Sequence, residues 1–558
     1  MSGCVPTRGP GSSQGSAQPE AASEAGPPKT LVIGQPRARE GFGPWFIRGS
    51  GRILQYEELH TNALISTDDV GRYEARLAAR IPSLDDGSIT ILPDGRMRMS
   101  WTLRPNVKWH DGAPLTAEDV VFGYQVSVHP EIPVQLSGQV SAMESIEPVD
   151  SHNLVMTYRS TFYRAVELGF RDLYVLPKHL LAAQFQGDKD AFTRLPYFST
   201  EYVHTGPFRV SEVVLGESVV MERFDDYFRG RPKVHTIVLR FIGDDNAMVT
   251  NMLAGAVDIA GELADSLVVR LRDDWKETRA GFVVSQQGNW RFISIQFHPQ
   301  WGSPPELQSD VRVRRALALG IDREAIAEAV VPGFPDTSAD TFMVKGDALA
   351  ATVGTPFARY RSDPAQAARD LEEAGWRRGA DGRLTNAAGQ PIRLDIRTTA
   401  AYEIELAAVG NDWRRLGFEV TEEVMSRALS QDREYIAKFP SAEISAQSNS
   451  DSIFRRFDSR GQPLPENRYV GSNGGHYVNP TLDTLIERLY SSIDARQQGE
   501  LLKEMGELIA TDLPALPMYF SVNTVAALRH VRALDDFAGA VRAGGTARNA
   551  HLWDRAAP

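Results

Sequence analysis

The stretch LRPNVKWHDGAPLTAEDVVFGY, residues 103–124, decides how the chain around it folds. Apolar and polar residues alternate immediately before it, over residues 96–103, and this period of two predicts a half-buried strand. Inside the stretch, Asp111-Gly112 predicts a turn. Thr116, followed three residues later by Asp119, predicts a helix start with the acidic form of a capping box. The segment therefore predicts strand, turn and capped helix, an arrangement that is structural rather than catalytic.

The same stretch resembles the block that marks family 5 extracellular solute-binding proteins, the receptors that deliver peptides and similar solutes to ABC importers. Later segments resemble further blocks of that family in the same order. These are the strand and loop of residues 206–233, the helix pair DVRVRRALALGIDREAI at 310–326, the helix start YVNPTLD at 477–483, and the proline-flanked strand PALPMYF at 514–520. The resemblance extends from about residue 30 to residue 555.

This resemblance implies an α/β fold with two lobes around a cleft, the type II periplasmic-binding-protein fold, similar to cluster C, with an extra inserted domain. Lobe I is then expected to be discontinuous, with residues 30–64, 200–300 and 522–558. Residues 65–199 are expected to form the inserted domain II, and residues 301–521 to form lobe II. Crossings between the lobes are expected near residues 285–300 and 515–525.

Composition sets outer limits on structure and partners. With 558 residues, 42% of them hydrophobic and 24% charged, the chain is long enough for two or three domains with ordinary cores. The net charge of −12 argues against nucleic acid as a partner.

The first 29 residues predict an export and anchoring signal. Cys4 is the only cysteine, so no internal disulfide can form. Met1-Ser2-Gly3-Cys4 resembles the end of a bacterial lipobox, in a chain that starts inside its signal sequence; the alternative is a free thiol in a tail. Residues 5–29 are rich in Gly, Ser, Pro, Ala, Gln and Glu, which predicts a disordered tether. We therefore expect a periplasmic or extracytoplasmic protein anchored by a lipid on Cys4.

The sequence predicts no enzyme, no bound metal and no cofactor. It contains neither an H-E-x-x-H motif nor a G-x-S-x-G nucleophile elbow. His110 precedes Asp111 in the turn that the strand-turn-helix block explains, so a catalytic interpretation is disfavoured. His476 lies near the position where nickel-type receptors of the family place a histidine, but a single histidine without partners predicts a satisfied or solvated side chain.

Two candidate binding regions flank the predicted cleft. Residues 35–46 follow the first strand, where solute contacts lie in the family; this region contributes Gln35, with Trp45 and Phe46 either stacking on solute or packing under the loop. The second region contains Trp290 and Arg291. Arg291 is predicted either to clamp a carboxylate with two hydrogen bonds or to be an ordinary surface arginine. The sequence thus predicts an aromatic cleft in which Trp45 and Trp290 face each other.

The third candidate region is residues 444–456, where dipeptide and oligopeptide receptors of the family hold the solute's ammonium group with an aspartate in a D-Y-P-D-P-like run. This sequence departs from that pattern, because neither the prolines nor the tryptophan is present. Gln447, Asn449 and Asp451 alternate, so all three side chains are predicted to point to one side of a strand. Weak binding of simple di- and tripeptides is expected.

These features predict a monomeric solute-binding receptor that captures a peptide or peptide-like small solute between two lobes and delivers it to an ABC permease in the membrane. One alternative is a ligand sensor of the same fold that signals to a membrane receptor. A hydrolase is a second alternative, although the sequence contains no recognisable pair of nucleophile and base.

Overall fold

The computed structural model describes residues 28–38, 41–47, 56–68, 71–261, 263–334, 337–342, 353–354, 359–447, 451–534 and 545–556. Strands and α-helices are numbered below in chain order within these ranges.

The strands are β1 (Thr30–Gln35), β2 (Ile65–Thr67), β3 (Tyr73–Ala75), β4 (Ile89–Ile91), β5 (Met97–Thr102), β6 (Met143–Pro148), β7 (Asn153–Tyr158), β8 (Phe208–Val214), β9 (Ser218–Arg223), β10 (Thr236–Phe241), β11 (Ile259–Gly261), β12 (Gly281–Ile295), β13 (Arg377–Arg378), β14 (Leu384–Thr385), β15 (Arg393–Thr399), β16 (Glu419–Met425), β17 (Ala442–Gln447), β18 (Ala515–Leu528), β19 (Val531–Arg532) and β20 (Asp554–Arg555).

The α-helices are α1 (Pro44–Ile47), α2 (Ala117–Val128), α3 (Gly138–Ala142), α4 (Lys178–Phe185), α5 (Lys189–Thr193), α6 (Asp245–Leu253), α7 (Asp265–Thr278), α8 (Glu306–Ser309), α9 (Val311–Gly320), α10 (Arg323–Val330), α11 (Pro364–Glu373), α12 (Glu403–Leu416), α13 (Arg433–Ala437), α14 (Pro480–Tyr490) and α15 (Ala495–Asp512).

The strand-turn-helix prediction for the opening stretch is confirmed. Along β5, Met97, Met99 and Trp101 are buried while the residues between them face outward. Gly95 adopts φ 86°, as the turn before the strand requires. At the start of α2 only the Asp119 half of the capping box forms: its carboxylate accepts the Thr116 backbone N–H at 2.9 Å. The Thr116 hydroxyl donates to the same oxygen at 3.3 Å instead of capping the helix backbone.

Ten of the described strands form one sheet in the order β16-β15-β17-β12-β18-β11-β1-β10-β9-β8. At one end β1 lies parallel between β10 and β11, and at the other β15 lies parallel between β16 and β17. The long strands β12 and β18 pair antiparallel from Gly281↔Leu528 to Ser294↔Ala515 and join the two ends. We call the part built on β1 and β8–β11 lobe I, and the part built on β15–β17 lobe II.

A separate four-stranded sheet, β4-β5-β7-β6, forms the core of an inserted domain together with α2. This domain is attached to lobe I by buried contacts. His110 donates its backbone N–H to the His204 carbonyl at 2.8 Å, and Arg76 donates to the Arg548 carbonyl at 3.2 Å. Because these bonds are buried, the inserted domain and lobe I form one packed unit.

Both described ends of the chain lie in lobe I. The Lys29 ammonium is 2.6 Å from the Asp554 carboxylate, and the Arg555 guanidinium donates to the Thr30 carbonyl at 2.6 Å. Trp553 is buried in the same apolar core as β1. The C-terminal segment therefore completes lobe I around the first strand.

Candidate functional site

A cavity of about 280 Å³ lies where the two lobes meet the long strands. Lobe I contributes residues around the start of α7, lobe II contributes the end of α10 and the start of α12, and β12 and β18 form the floor. The lining residues are Asp245, Leu263, Ala264, Asp265, Arg291, Val330, Val331, Ala401, Tyr402, Glu405, Tyr519, Ser521, Val522, Asn523 and Thr524. The cavity is thus built from segments that are far apart in the sequence and belong to both lobes.

The pleat of β12 directs Arg291 towards this cavity. Side chains alternate between the faces of a strand. Trp290 and Phe292 stack on each other on one face, with ring centroids 4.2 Å apart, and belong to an apolar core of lobe II. Arg291 projects from the opposite face. Register shifts between Gln287 and Trp290 and again after Arg291 interrupt the pairing with β18 at this point; such irregularities re-aim side chains locally.

Two N–H donors of the Arg291 guanidinium have no hydrogen-bond acceptor. Its central carbon lies 4.9 Å from the centre of the Tyr402 ring, a cation–π contact. Its Nε and Nη1 atoms are buried and make no hydrogen bond. Within the described part of the chain, no carboxylate lies within ion-pairing distance of it. Buried N–H donors without an acceptor are costly, so these two nitrogens are placed to donate to a bound solute.

Tyr519 and Glu405 form the neighbouring wall. The Tyr519 hydroxyl donates to the Glu405 carboxylate at 2.6 Å, and both residues are buried. Burial raises the pKa of Tyr519 well above its usual value, Glu405 raises it further, and Arg291 lowers it. The phenol is therefore neutral at physiological pH, and its O–H group donates its hydrogen bond to Glu405.

Lobe I presents the first turn of α7 to the cavity. Ala264 is the N-cap residue of α7 and has no side-chain group to cap it, although its own N–H donates to the Asp245 carboxylate at 3.0 Å. Asp265 occupies the first helical position. The wall therefore combines the positive end of a helix dipole with two carboxylates.

The structure separates the residues predicted after the first strand from this cavity. Gln35 is buried at the end of β1, where its carbonyl accepts the Ile242 N–H at 2.8 Å. Trp45 is half-buried, with its ring centroid 4.3 Å from that of Phe198. Phe46 is half-buried against the lobe I core. These contacts favour the packing interpretation of both aromatic side chains.

Trp290 is 1% exposed and packs inside lobe II, and its indole Nε1 has no hydrogen-bond acceptor. This placement favours a role in the core over the predicted role of lining an aromatic cleft. Arg291, predicted beside it, does line the cavity.

In the third predicted region, Gln447 ends β17 opposite Trp290 and accepts a hydrogen bond from the Arg456 Nε at 3.2 Å. Asp451 begins a 3-10 segment, Asp451–Phe457. Asn449 and Cys4 lie outside the described residues. The alternating arrangement predicted for Gln447, Asn449 and Asp451 therefore stays a prediction.

Both singled-out histidines are satisfied by hydrogen bonds. His110 Nε2 lies 3.0 Å from the Gly206 carbonyl, and its Nδ1 accepts the His204 backbone N–H at 3.2 Å. His476 is buried with Nδ1 3.1 Å from Gln296 Oε1 and Nε2 3.1 Å from the Pro463 carbonyl. In the described ranges no group of three or more His, Cys, Asp or Glu side chains is arranged to bind a metal ion, and no helix could span a bilayer.

Sequence reasoning did not find Tyr402, Glu405 or Tyr519. Tyr402 and Glu405 flank the start of an amphipathic helix, and Tyr519 lies in a strand with mostly apolar neighbours, so each has an ordinary local explanation. One signal was available: Glu405 falls on the same side of α12 as Val409 and Trp413, which are buried.

Comparison with known proteins relates this chain to one family. The model of bacterial extracellular solute-binding proteins, family 5 (middle part), matches residues 82–454. Oligopeptide-binding protein AppA of Bacillus subtilis (strain 168) is 22% identical over 481 residues, covering 84% of this chain and 82% of that protein. The probable deoxycholate-binding periplasmic protein YgiS of Escherichia coli (strain K12) is 23% identical over 458 residues, covering 76% and 78%.

Among solved structures, NikA from Brucella suis in complex with Fe(III)-EDTA superposes with a TM-score of 0.72 at 19% identity, covering 94% of this chain and 99% of that chain. The fold is therefore the two-lobed fold that the sequence predicted.

Proposed function

We propose, because the chain belongs to the family 5 bacterial extracellular solute-binding proteins, that it captures one small solute between its lobes and delivers it to an ABC permease in the membrane, acting as a monomer. The observation that carries this proposal is the cavity of about 280 Å³, which is lined by lobe I, lobe II and both long strands at once.

A cavity of this kind couples binding to closure. A ligand shifts the balance between open and closed lobes only when it contacts the closed state better than the open one. A solute that touches Ala264 of lobe I and Ala401 of lobe II meets this requirement, because opening the cleft removes one of the two contacts. The floor strands β12 and β18 keep the two walls connected.

The relatives bear different ligands in their names, an oligopeptide in one case and deoxycholate in another. For this chain we propose a compact solute, since the cavity of about 280 Å³ is slightly smaller than the usual ~300–1,000 Å³ of ligand pockets. Unmodified di- and tripeptides are expected to bind weakly, because residues 444–456 lack the D-Y-P-D-P-like element. Calorimetry against such peptides checks this, and submicromolar affinity contradicts it.

The test of the receptor proposal begins with gently purified protein. Small molecules released on denaturation are identified by mass spectrometry, and their affinity is then measured by calorimetry. Ala401→Trp, which fills the cleft from an exposed position, should abolish binding while leaving the melting temperature within a degree or two of wild type. Ala388→Trp, at an exposed position outside the cavity, is the matched control. Unchanged binding by Ala401→Trp contradicts the site, and turnover of a released compound would favour a hydrolase.

We also propose that Cys4 carries the lipid that keeps the receptor at the membrane. The support is the lipobox-like Ser2-Gly3-Cys4 and the polar composition of residues 5–29. Metabolic labelling with a palmitate analogue should mark the wild-type gene product and not Cys4→Ser. Equal labelling of both proteins, or of neither, contradicts the anchor.

A further inference from the structure

We propose that the solute carries a carboxylate and that Arg291 is the residue that binds it, an inference that rests on the proposed function and names the class of solute. The starting observation is that two nitrogens of the Arg291 guanidinium are buried without any hydrogen bond, at the floor of a cavity shared by both lobes.

The surroundings of Arg291 hold it in place without neutralising it. Tyr402 contacts the guanidinium through its ring face, at 4.9 Å, and so leaves the N–H donors available. Glu405, a buried carboxylate of the cavity wall, accepts the Tyr519 hydroxyl at 2.6 Å. In the described part of the chain, Arg291 has no carboxylate partner within 4 Å. The arginine is thus fixed by stacking and strand pairing, and its charge is left for the solute.

Among oxyanions, the charges that line the cavity disfavour a doubly charged one relative to a singly charged one. The lining contains one guanidinium and three carboxylates, on Asp245, Asp265 and Glu405. A phosphate, with close to two negative charges, is repelled more strongly by these carboxylates than a carboxylate is. The first turn of α7 lines the same cavity and adds a helix dipole to it, and Ser521 and Asn523 add polar groups.

Arg291 is also placed to make recognition depend on closure. It lies on β12 directly opposite Tyr519 of β18, between the register shifts of the two strands. Tyr402 approaches from lobe II, and Ala264 from lobe I lines the same space. A carboxylate on Arg291 therefore positions the rest of the solute between the two walls.

The experiment compares acids with their own amides. The probes are N-acetylated amino acids, N-acetylated dipeptides and small aliphatic and aromatic carboxylic acids, each paired with its primary amide and measured by calorimetry. For the acids that bind wild type, the amide is expected to bind at least tenfold more weakly. Arg291→Gln should lose at least tenfold in affinity for the acid and bind acid and amide alike, and Arg291→Lys should recover part of the preference.

Arg98→Gln is the control, because it removes an equal charge from an exposed position in the inserted domain. The melting temperature supplies a second readout: Arg291→Gln removes an unpaired buried charge, so unliganded protein should be as stable as wild type or more stable. A large loss of stability in Arg291→Gln would assign the residue to structure.

Equal binding of acids and amides by wild type overturns the proposal, as does an unchanged acid preference in Arg291→Gln or a failure of every acid to bind. If amides bind as well as acids and Ala401→Trp abolishes that binding, the receptor function is supported and only the proposal of a carboxylate on the solute is wrong. If no probe binds and no small molecule is released from native protein, both proposals fail.

Discussion

His110 illustrates how a single side chain is tuned by its surroundings. Burial lowers its pKa to about 4, the Gly206 carbonyl raises it, and Arg209 lowers it while Asp111 raises it. The neutral ring fits the site, since Nε2–H donates to the Gly206 carbonyl while Nδ1 accepts the His204 N–H. A proton on Nδ1 would point at the His204 N–H, so the protonated ring would lose this hydrogen bond.

The first prediction concerns the pH dependence of stability. The pKa of His110 is lower in the folded protein than the ordinary value near 6.5, so the unfolded chain binds a proton first as the pH falls. Stability from this residue is present above pH 6.5 and is lost between pH 6.5 and about 4, by ~3 kcal/mol at most. His110→Gln should lose less stability than wild type over this range in urea denaturation, whereas His152→Gln should behave as wild type. Equal losses in all three proteins would contradict the prediction.

The second prediction concerns Trp290. Because its ring is 1% exposed and stacked on Phe292, Trp290→Ala should lower the free energy of unfolding by about 3–5 kcal/mol. Trp45→Ala should cost less, since Trp45 is only half-buried. Chemical denaturation of both variants measures the difference. Loss of solute binding by Trp290→Ala with stability unchanged would return this tryptophan to the cleft surface.

At the scale of the element, local sequence carried most of the information. The alternation along β5 is present as predicted, and the helices expected within residues 310–326 and from 477–483 form, with Asp322 and Asn479 as N-caps. These features depend on neighbours within a few residues. The half-formed capping box of α2 differs from the prediction because Asp119 also accepts hydrogen bonds from residues outside the helix. Its carboxylate accepts the Lys178 N–H at 2.8 Å and the Trp109 indole N–H at 3.3 Å. Only tertiary packing brings those donors to it.

The third prediction follows from these shared donors. Asp119→Ala leaves three backbone or indole N–H groups without their acceptor and should destabilise the protein by about 2–4 kcal/mol. Thr116→Ala should cost ~1 kcal/mol or less, because the Thr116 hydroxyl does not cap the helix. Denaturation in urea compares the two. Equal costs would mean that α2 is stabilised by an ordinary cap.

At the scale of the whole molecule, the family blocks predicted the two-lobed fold, and the segments expected to cross between lobes are the long strands β12 and β18. The cavity was less predictable. Arg291, Tyr402 and Tyr519 come from three distant segments, and no local pattern distinguishes them from residues that pack in a core. Arg291 was predicted as a candidate because it lies beside the expected crossing between the lobes, where a guanidinium can bind a carboxylate with two hydrogen bonds.

The fourth prediction uses a contact between the lobes outside the cavity. Tyr163 of the inserted domain stacks on Tyr490 of lobe II, with centroids 5.2 Å apart, and its N–H donates to the Tyr490 carbonyl at 3.3 Å. Since the inserted domain is packed on lobe I, opening the cleft must break this contact. Tyr490→Ala should therefore weaken binding of the released solute about 3–10-fold by lowering the population of the closed state.

Small-angle scattering should detect a larger radius of gyration for Tyr490→Ala at subsaturating solute. Tyr73→Ala, which removes a 42% exposed ring from the inserted domain, is the control. Affinity and dimensions identical to wild type would show that the stacked tyrosines do not influence closure.

The position of the described ends has a mechanical consequence. Lys29 pairs with Asp554, and Thr30 with Arg555, so a pulling force applied between the two described ends first acts on these contacts within lobe I. Such a force separates the C-terminal segment from β1 before it loads β12 and β18, the strands that connect lobe I to lobe II. A molecule immobilised through either described end would be held by lobe I, so lobe II could open or close without moving the point of attachment.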